Sequence, residues 1–268
     1  MPAYICATCG QAHAESDDPP ASCAICVDER QYVNAKGQAW TTLEELQRKH
    51  RSDIRELEPH LIGIGATPQI AIGQRALFIS QPGGGVLWDC TPLITDDAVA
   101  QIRMLGGLRA IAISHPHYYS SMTEWSEAFG GVPIYLHADD AQWVMRPDPA
   151  INHWQGDTLD LGQGITLIRC GGHFDGSAVL HWADGAGGKG VLMTGDTIMV
   201  VPDTRYMSFM YSYPNQVPLS AKKVREIAAT GQPYPFERMY AAWWDRVSKH
   251  DAKARLARSV ERYIAAIS

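Results

Sequence analysis

The sequence predicts a mixed α/β protein, built of two packed sheets with helices outside and preceded by a small cysteine-rich segment. Three observations support this fold class. Strand-like runs alternate with helical runs from about residue 60 onward. The early and middle strands follow one another as meanders, unlike the strict alternation of a doubly wound sheet. Two CxxC pairs near the start can bind a metal ion that stabilises a segment with little buried apolar surface.

The cysteine-rich segment carries the strongest local signal. Cys6 and Cys9 form one CxxC pair, Cys23 and Cys26 form the other, and 13 residues separate the pairs. Four thiolates at this spacing suit one tetrahedral ion and leave no position open for a substrate. We therefore expect a structural Zn²⁺ ion. Iron in a rubredoxin-like knuckle is the alternative, because the same ligands also accept iron.

The remaining elements are predicted from hydrophobic runs broken by Gly and Pro. We expect a zinc-binding knuckle at residues 1–40 and one large domain at residues 41–268. A capping-box pattern from Thr41 to Glu44 opens a predicted helix. Predicted strands lie near 61–73, 75–81, 85–90, 108–114, 132–137, 164–170, 178–182, 190–195 and 237–243. Predicted helices lie near 41–50, 95–105, 122–129, 138–145, 219–229 and 249–266.

Composition excludes some partners. The chain is 46% hydrophobic and 19% charged, as ordinary globular proteins are. A net charge of −6 offers no basic footprint for nucleic acid. Neither an apolar run of the ~18 residues that a membrane helix needs nor a secretory signal is recognisable. We expect a cytoplasmic protein with a small-molecule substrate. The segment 205–215 is rich in Tyr and Met, and its role is open: it could line the substrate site, form a homodimer contact or pack in the core.

Candidate metal ligands follow several predicted strands. His115 and His117 come directly after a buried strand, and an HxH pair at a strand end can point both rings to one side. His173 lies in a glycine-rich turn after another strand, and Asp196 ends a third. Polar groups at strand ends, with glycines that allow close backbone approach, are typical of a site at the edge of a sheet.

From about residue 60 onward, the order, spacing and flanks of these residues resemble the metallo-β-lactamase superfamily, which includes glyoxalase II-like thioesterases, lactonases and flavodiiron proteins. The family's HxHxDH motif corresponds to residues 115–120, its third-motif histidine to His173 and its bridging aspartate to Asp196. Asp89 is similar to the family's early buried aspartate, which orients ligands by hydrogen bonding. The resemblance implies a four-layer αββα sandwich with a metal site at one edge of the two sheets.

The sequence departs from the family pattern where the second metal binds. Tyr119 and Ser120 occupy the Asp and His positions of HxHxDH, and the late predicted strand ends in Trp243 and Trp244 instead of a histidine. Three ligands of the second metal are therefore missing. We expect one metal ion, Zn²⁺ or Fe²⁺, whose histidine ligands are His115, His117 and His173. Asp196 is either its fourth ligand or the hydrogen-bond partner of a metal-bound water.

Three residues are candidates for the chemistry itself. Asp196 and Asp175 are suited to proton transfer, and Tyr119 to donating a hydrogen bond to an oxyanion. Asp175 is equally suited to capping its turn, and Tyr119 to filling the space of the lost metal.

The leading hypothesis is a mononuclear zinc hydrolase in which a metal-bound hydroxide cleaves an ester, thioester or lactone. One alternative is a mononuclear iron oxidoreductase that resembles the sulfur dioxygenases of the superfamily. The other is a non-catalytic family member, which the missing second-site ligands favour and the retained histidine cluster opposes.

Overall fold

The structure is a computed structural model that describes all 268 residues. Its contacts divide the chain into two compact units. The first comprises residues 1–136 and 141–153, and the second comprises residues 137–140 and 154–268. The predicted boundary at residue 40 lies inside the first unit and stays a prediction.

The first unit begins with the cysteine-rich segment. Its elements are β1 (Ala3–Cys6), β2 (Ala12–Glu15), α1 (Ala24–Val27), β3 (Trp40–Thr41) and α2 (Leu43–Lys49). The strands form a three-stranded sheet in the order β2-β1-β3. Helix α2 is capped by Thr42, whose side chain accepts a hydrogen bond from the backbone N–H of Glu45. The cap therefore lies one residue later than the predicted pair of Thr41 and Glu44.

A seven-stranded sheet follows in the same part of the chain. Its order is β10-β9-β8-β7-β6-β5-β4, antiparallel from β4 to β7 and parallel from β7 to β9. Helix α3 contacts β4, and α4 contacts β8. The elements are β4 (Arg51–Glu58), β5 (Leu61–Thr67), β6 (Ala76–Ile79), β7 (Gly85–Trp88), α3 (Asp96–Met104), β8 (Leu108–Ala112), α4 (Met122–Ala128), β9 (Ile134–His137) and β10 (Ile151–Trp154). Short 3₁₀ helices span Pro116–Tyr118 and Ala138–Trp143, the second where an α-helix was predicted.

The second unit holds a six-stranded sheet of order β11-β12-β13-β14-β19-β20, in which only β14 and β19 run parallel. Helices α6 and α7 pack on it through a buried apolar cluster that includes Val224, Ile227 and Leu256. The elements are β11 (Thr158–Gly162), β12 (Ile165–Arg169), β13 (Ala178–Trp182), α5 (Gly185–Gly188), β14 (Val191–Gly195), β15 (Met199–Val200), β16 (Met207–Ser208), β17 (Met210–Ser212), β18 (Val217–Pro218), α6 (Ala221–Gly231), β19 (Arg238–Ala241), β20 (Val247–Ser248) and α7 (Ala252–Ile267).

Parallel pairing places two loops of the first unit side by side. Strands β7 and β8 are in register with Trp88 opposite Ala112. The backbone N–H of Asp89 continues the ladder by donating to the carbonyl of Ala112 over 2.9 Å. Because both strands end here, the loops after β7 and β8 leave the sheet at the same edge.

Candidate metal centre

The four cysteines of the N-terminal segment form one buried cluster. Their sulfur atoms all lie within 4.8 Å of one another, and all four thiols are free. The Sγ atoms of Cys6 and Cys26 are 3.6 Å apart, as are those of Cys9 and Cys23. These distances exceed a disulfide bond of ~2.05 Å. They are close to the spacing of about 3.8 Å that a tetrahedral ion with metal–sulfur bonds of about 2.3 Å imposes. The donor set therefore fits a tetrahedral metal.

Polar contacts hold the cluster together. The side-chain amide of Gln38 donates to the sulfur of Cys6 over 3.2 Å, and its oxygen accepts from the backbone N–H of Cys23 over 3.2 Å. Hydrogen bonds from the neighbouring thiols, first of all that of Cys26, hold the pKa of Cys23 well below its usual range. Gln38 thus bridges the two CxxC pairs, and the lowered pKa favours Cys23 as thiolate, the form that binds metal.

A chain of hydrogen bonds orients the first histidine. Both the backbone N–H and the hydroxyl of Ser114 donate to Oδ1 of Asp89, each over 2.8 Å. The same hydroxyl lies 2.9 Å from Nδ1 of His115. A serine hydroxyl has a single proton, and here it goes to the carboxylate. Nδ1 of His115 must therefore carry the donated hydrogen, which leaves Nε2 with a lone pair.

The second histidine lies one turn further on. The short 3₁₀ helix Pro116–Tyr118 carries His117, whose ring centroid is 5.0 Å from that of His115. The ring of Tyr118 packs edge-on against His115, with centroids 4.6 Å apart. All three rings are buried. Packing against His117 and Tyr118 thus restricts the ring plane of His115.

The third histidine sits in a tight turn between β12 and β13. The turn is closed by Ser177, whose hydroxyl accepts from the backbone N–H of Phe174 over 2.8 Å. Gly172 has φ +94°, a backbone conformation that favours glycine. Nδ1 of His173 lies 3.1 Å from the carbonyl oxygen of Met210. Because a carbonyl only accepts, Nδ1 is the protonated nitrogen of His173, and its Nε2 also keeps a lone pair.

A buried aspartate that the sequence analysis did not single out supports this turn. Oδ1 of Asp140 accepts from the backbone N–H of Gly176 over 2.8 Å. A Cβ atom at Gly176 would lie 2.8 Å from the carboxyl carbon of Asp140, so only glycine allows this approach. Asp140 therefore anchors the turn that carries His173.

Asp196 follows β14 in a second turn. The turn is held by the hydroxyl of Thr194, which donates to the carbonyl of Ile198 over 2.7 Å. The hydroxyl of Tyr213 donates to the backbone carbonyl of Asp196 over 2.8 Å. Burial and the charge of Asp196 raise the pKa of Tyr213 well above its usual value, so this hydroxyl keeps its proton. The Oδ2 atom of Asp196 is 3.9 Å from Nε2 of His173.

Four predicted ligands are the second candidate metal group, which we name the histidine group. The rings of His115 and His117 are buried together in the first unit, and the side chains of His173 and Asp196 are buried together in the second. Imidazole nitrogens and one carboxylate oxygen are a donor set that suits zinc, and also iron. The chemistry of the donors therefore fits a single transition-metal ion.

The other predicted site residues differ in burial. Asp175 is exposed and is not a member of the group. Tyr119 and Ser120 are buried, and Ser120 adopts φ +28°. Trp243, which follows β19, is half-buried. The predicted roles of Asp175 in proton transfer and of Tyr119 as hydrogen-bond donor to an oxyanion stay predictions.

Comparison with known proteins places the chain among relatives. It is 51% identical over 270 residues to the uncharacterized protein YmaE of Bacillus subtilis (strain 168), with 100% of this chain and 98% of that protein covered. No model of a protein family matches the sequence. The helices of the structure include none with the length and apolar character to cross a membrane.

Solved structures share the fold at low sequence identity. The metallo-β-lactamase FIM-1 from Pseudomonas aeruginosa, in its mono-zinc form, aligns with a TM-score of 0.59 and 13% identity, over 81% of this chain and 97% of its own. A metallo-β-lactamase from Pontibacter korlensis aligns with a TM-score of 0.58 and 14% identity, over 79% of this chain and 98% of its own. The DIM-1 metallo-β-lactamase aligns with a TM-score of 0.60 and 13% identity, over 81% of this chain and 99% of its own. These likenesses confirm the predicted metallo-β-lactamase fold.

Proposed function

The chain belongs to the same family as YmaE of Bacillus subtilis and has the metallo-β-lactamase fold, and from this premise we propose that it is a metal-dependent hydrolase. The metal is a single zinc ion at the histidine group. The substrate is a small molecule with an ester, thioester or lactone carbonyl.

One observation carries this proposal. The rings of His115 and His117 are buried side by side in the first unit, and in the second unit Nε2 of His173 lies 3.9 Å from Oδ2 of Asp196. In two of the imidazoles, those of His115 and His173, the hydrogen bond at Nδ1 leaves the lone pair on Nε2, the atom that we propose binds the metal. Preset tautomers of this kind are typical of histidines that bind metal, and a scaffold protein has no need of them. Zinc bound there supplies Lewis acidity, which lowers the pKa of water to about 7 and polarises a carbonyl.

Three residues have proposed roles in metal binding, proton transfer and stabilisation of the oxyanion. Asp196 is either the fourth ligand or the acceptor of the proton that water loses when it attacks. Tyr119, buried two residues after His117, is the proposed hydrogen-bond donor to the oxyanion. Asp175, exposed in the His173 turn, is the proposed carrier of the proton to solvent.

The four-cysteine cluster takes a structural role in this proposal. Four thiolates saturate a tetrahedral zinc ion, so no position is left for a substrate. Because thiols that bind metal persist in reducing compartments, we place the protein in the cytoplasm.

The test is metal analysis combined with turnover of generic aryl esters and lactones. Protein purified without added metal should contain about two zinc ions per chain, one for each donor group. The His117→Ala variant should lose turnover and the second zinc ion but keep the fold by circular dichroism. His153→Ala is the matched control, because this histidine is exposed on β10 outside the group.

Three results would count against the proposal. Unchanged turnover in His117→Ala would exclude the histidine group from catalysis. A red, iron-loaded four-cysteine site would favour the iron oxidoreductase. Full metal occupancy with no turnover of any carbonyl substrate would favour a non-catalytic protein.

A further inference from the structure

The loop after β7 holds both ends of the segment that carries two of the histidines. We name residues 89–94 the clamp loop and residues 114–121 the histidine segment. At one end, Asp89 accepts two hydrogen bonds from Ser114. At the other end, the hydroxyl of Ser121 donates to the carbonyl of Thr91 over 2.7 Å. The position of the clamp loop therefore sets the position of the histidine segment.

The opposite side of the clamp loop packs against the four-cysteine segment. Gly10, directly after Cys9, adopts φ +85° and lies so close that a Cβ atom would be 2.4 Å from Cγ of Pro92. Leu93 shares a buried apolar cluster with Ile5 of the same segment. The proline ring is stiff and buried, so it cannot swing away from an added methyl group.

Strain in the clamp loop makes this support necessary. Asp89 adopts φ +60°, in the left-handed region that non-glycine residues rarely occupy. Such a conformation is energetically unfavourable and persists only where surrounding contacts hold it. The hydrogen bonds to Ser114 provide one contact, and the packing of Pro92 and Leu93 on the four-cysteine segment provides the other.

We propose that the four-cysteine segment is a positioning element for the histidine segment, and that it acts through the contact of Gly10 with Pro92. Cys9 and its three partner thiols set the shape of the turn that carries Gly10. This turn holds Pro92, the clamp loop holds Ser114, and Ser114 orients His115. All of these contacts lie within residues 1–136, so the positioning role does not depend on the reaction that the histidine group performs.

The test is amide hydrogen exchange of the full-length protein, followed by NMR. In Gly10→Ala the added methyl group pushes on Pro92 and loosens the Asp89–Ser114 contact. Exchange of the Ser114 amide should therefore accelerate about tenfold or more, the equivalent of about 1.4 kcal/mol. The ¹⁵N resonances of the His115 ring should shift as its Nδ1 hydrogen bond weakens. The amides of β5 should keep their rates, because the whole unit stays folded.

Gly37→Ala is the matched control for backbone strain. Gly37 lies in the same segment and has φ +91°, but a Cβ atom there meets nothing within 4 Å. The double variant Gly10→Ala/Pro92→Ala tests whether the effect passes through the contact of residue 10 with Pro92. It removes the Cγ atom that the methyl group meets and leaves the Cβ atoms of Ala71 at 3.3 Å and of Pro92 at 3.5 Å. Its Ser114 amide should exchange more slowly than in Gly10→Ala, within about twofold of the rate in Pro92→Ala alone.

Two results would overturn the proposal. One is equal exchange of the Ser114 amide in Gly10→Ala and Gly37→Ala. The other is exchange of the Ser114 amide in the double variant that is as fast as in Gly10→Ala. If Gly10→Ala does not fold, Pro92→Ala alone decides. This variant should accelerate exchange at Ser114 while all four cysteines keep their metal, and an unchanged rate would refute the positioning role.

Discussion

Replacing Ser114 with alanine tests the hydrogen-bond chain behind His115. The hydroxyl of Ser114 joins Oδ1 of Asp89, 2.8 Å away, to Nδ1 of His115, 2.9 Å away. Without it, the buried Nδ1–H has no acceptor in this chain of bonds. The ring then either leaves this hydrogen unsatisfied or moves it to Nε2, where it competes with the metal. Losing a hydrogen bond of this kind weakens metal binding by about 10- to 100-fold, or about 1.4 to 2.8 kcal/mol.

The assay is titration with Co²⁺ and Zn²⁺ against a chromophoric chelator. Thiolate-to-cobalt absorption reports the four-cysteine site separately, so the loss can be assigned to the histidine group. Ser126→Ala is the matched control. Its hydroxyl is equally buried and donates to the carbonyl of Val132, away from the histidines. Equal affinity of the two variants at the histidine group would refute the reasoning.

Three further outcomes are expected. Gly176→Ala should destabilise the protein by about 1–3 kcal/mol in thermal unfolding, because the new Cβ atom would lie 2.8 Å from the carboxyl carbon of Asp140. Gly231→Ala is the control and should change the stability little, because its Cβ atom meets only a phenylalanine carbon at 3.9 Å. Burial raises the pKa of Cys170 to about 11, so iodoacetamide at about pH 8 should leave this thiol unmodified until the protein is denatured. Burial lowers the pKa of His181 from its usual 6.5. The unfolded chain therefore binds this proton more readily, and the stability present above about pH 6.5 should fall as the pH drops through the lower folded value. Urea unfolding across this range should show a shallower loss in His181→Gln.

The sequence predicts members of both donor groups because these residues lie in short local patterns. Two CxxC pairs predict the four-thiol cluster. A strand followed by HxH predicts His115 and His117, and a strand followed by GDT predicts Asp196. These patterns are local, so one chain suffices to find them.

The supporting residues are harder to find because folding brings them from elsewhere. Gln38 is 32 residues from Cys6, and Asp140 is 36 residues from Gly176. Neither stands in a recognisable motif. Ser114 is the exception, since a serine directly before the first histidine is visible in the run SHPH.

The strands also divide into those that the sequence predicts and those that it does not. Strands β8, β13 and β14 are buried on both faces and read as apolar runs, so the sequence predicts them. Strand β4, with the sequence RSDIRELE, was not predicted because it is largely charged. It pairs with one neighbour only and does not need the apolar pattern of a central strand.

That charged strand also bears on self-association. The open side of β4 is one edge of its sheet at which the sheet of a second copy could add on. Exposed Arg51, Arg55 and Glu56 line this strand. Ordered pairing with another chain would strip water from these charges, a penalty that discourages continuous sheets from forming across molecules. A homodimer of this protein is therefore expected to meet through another surface.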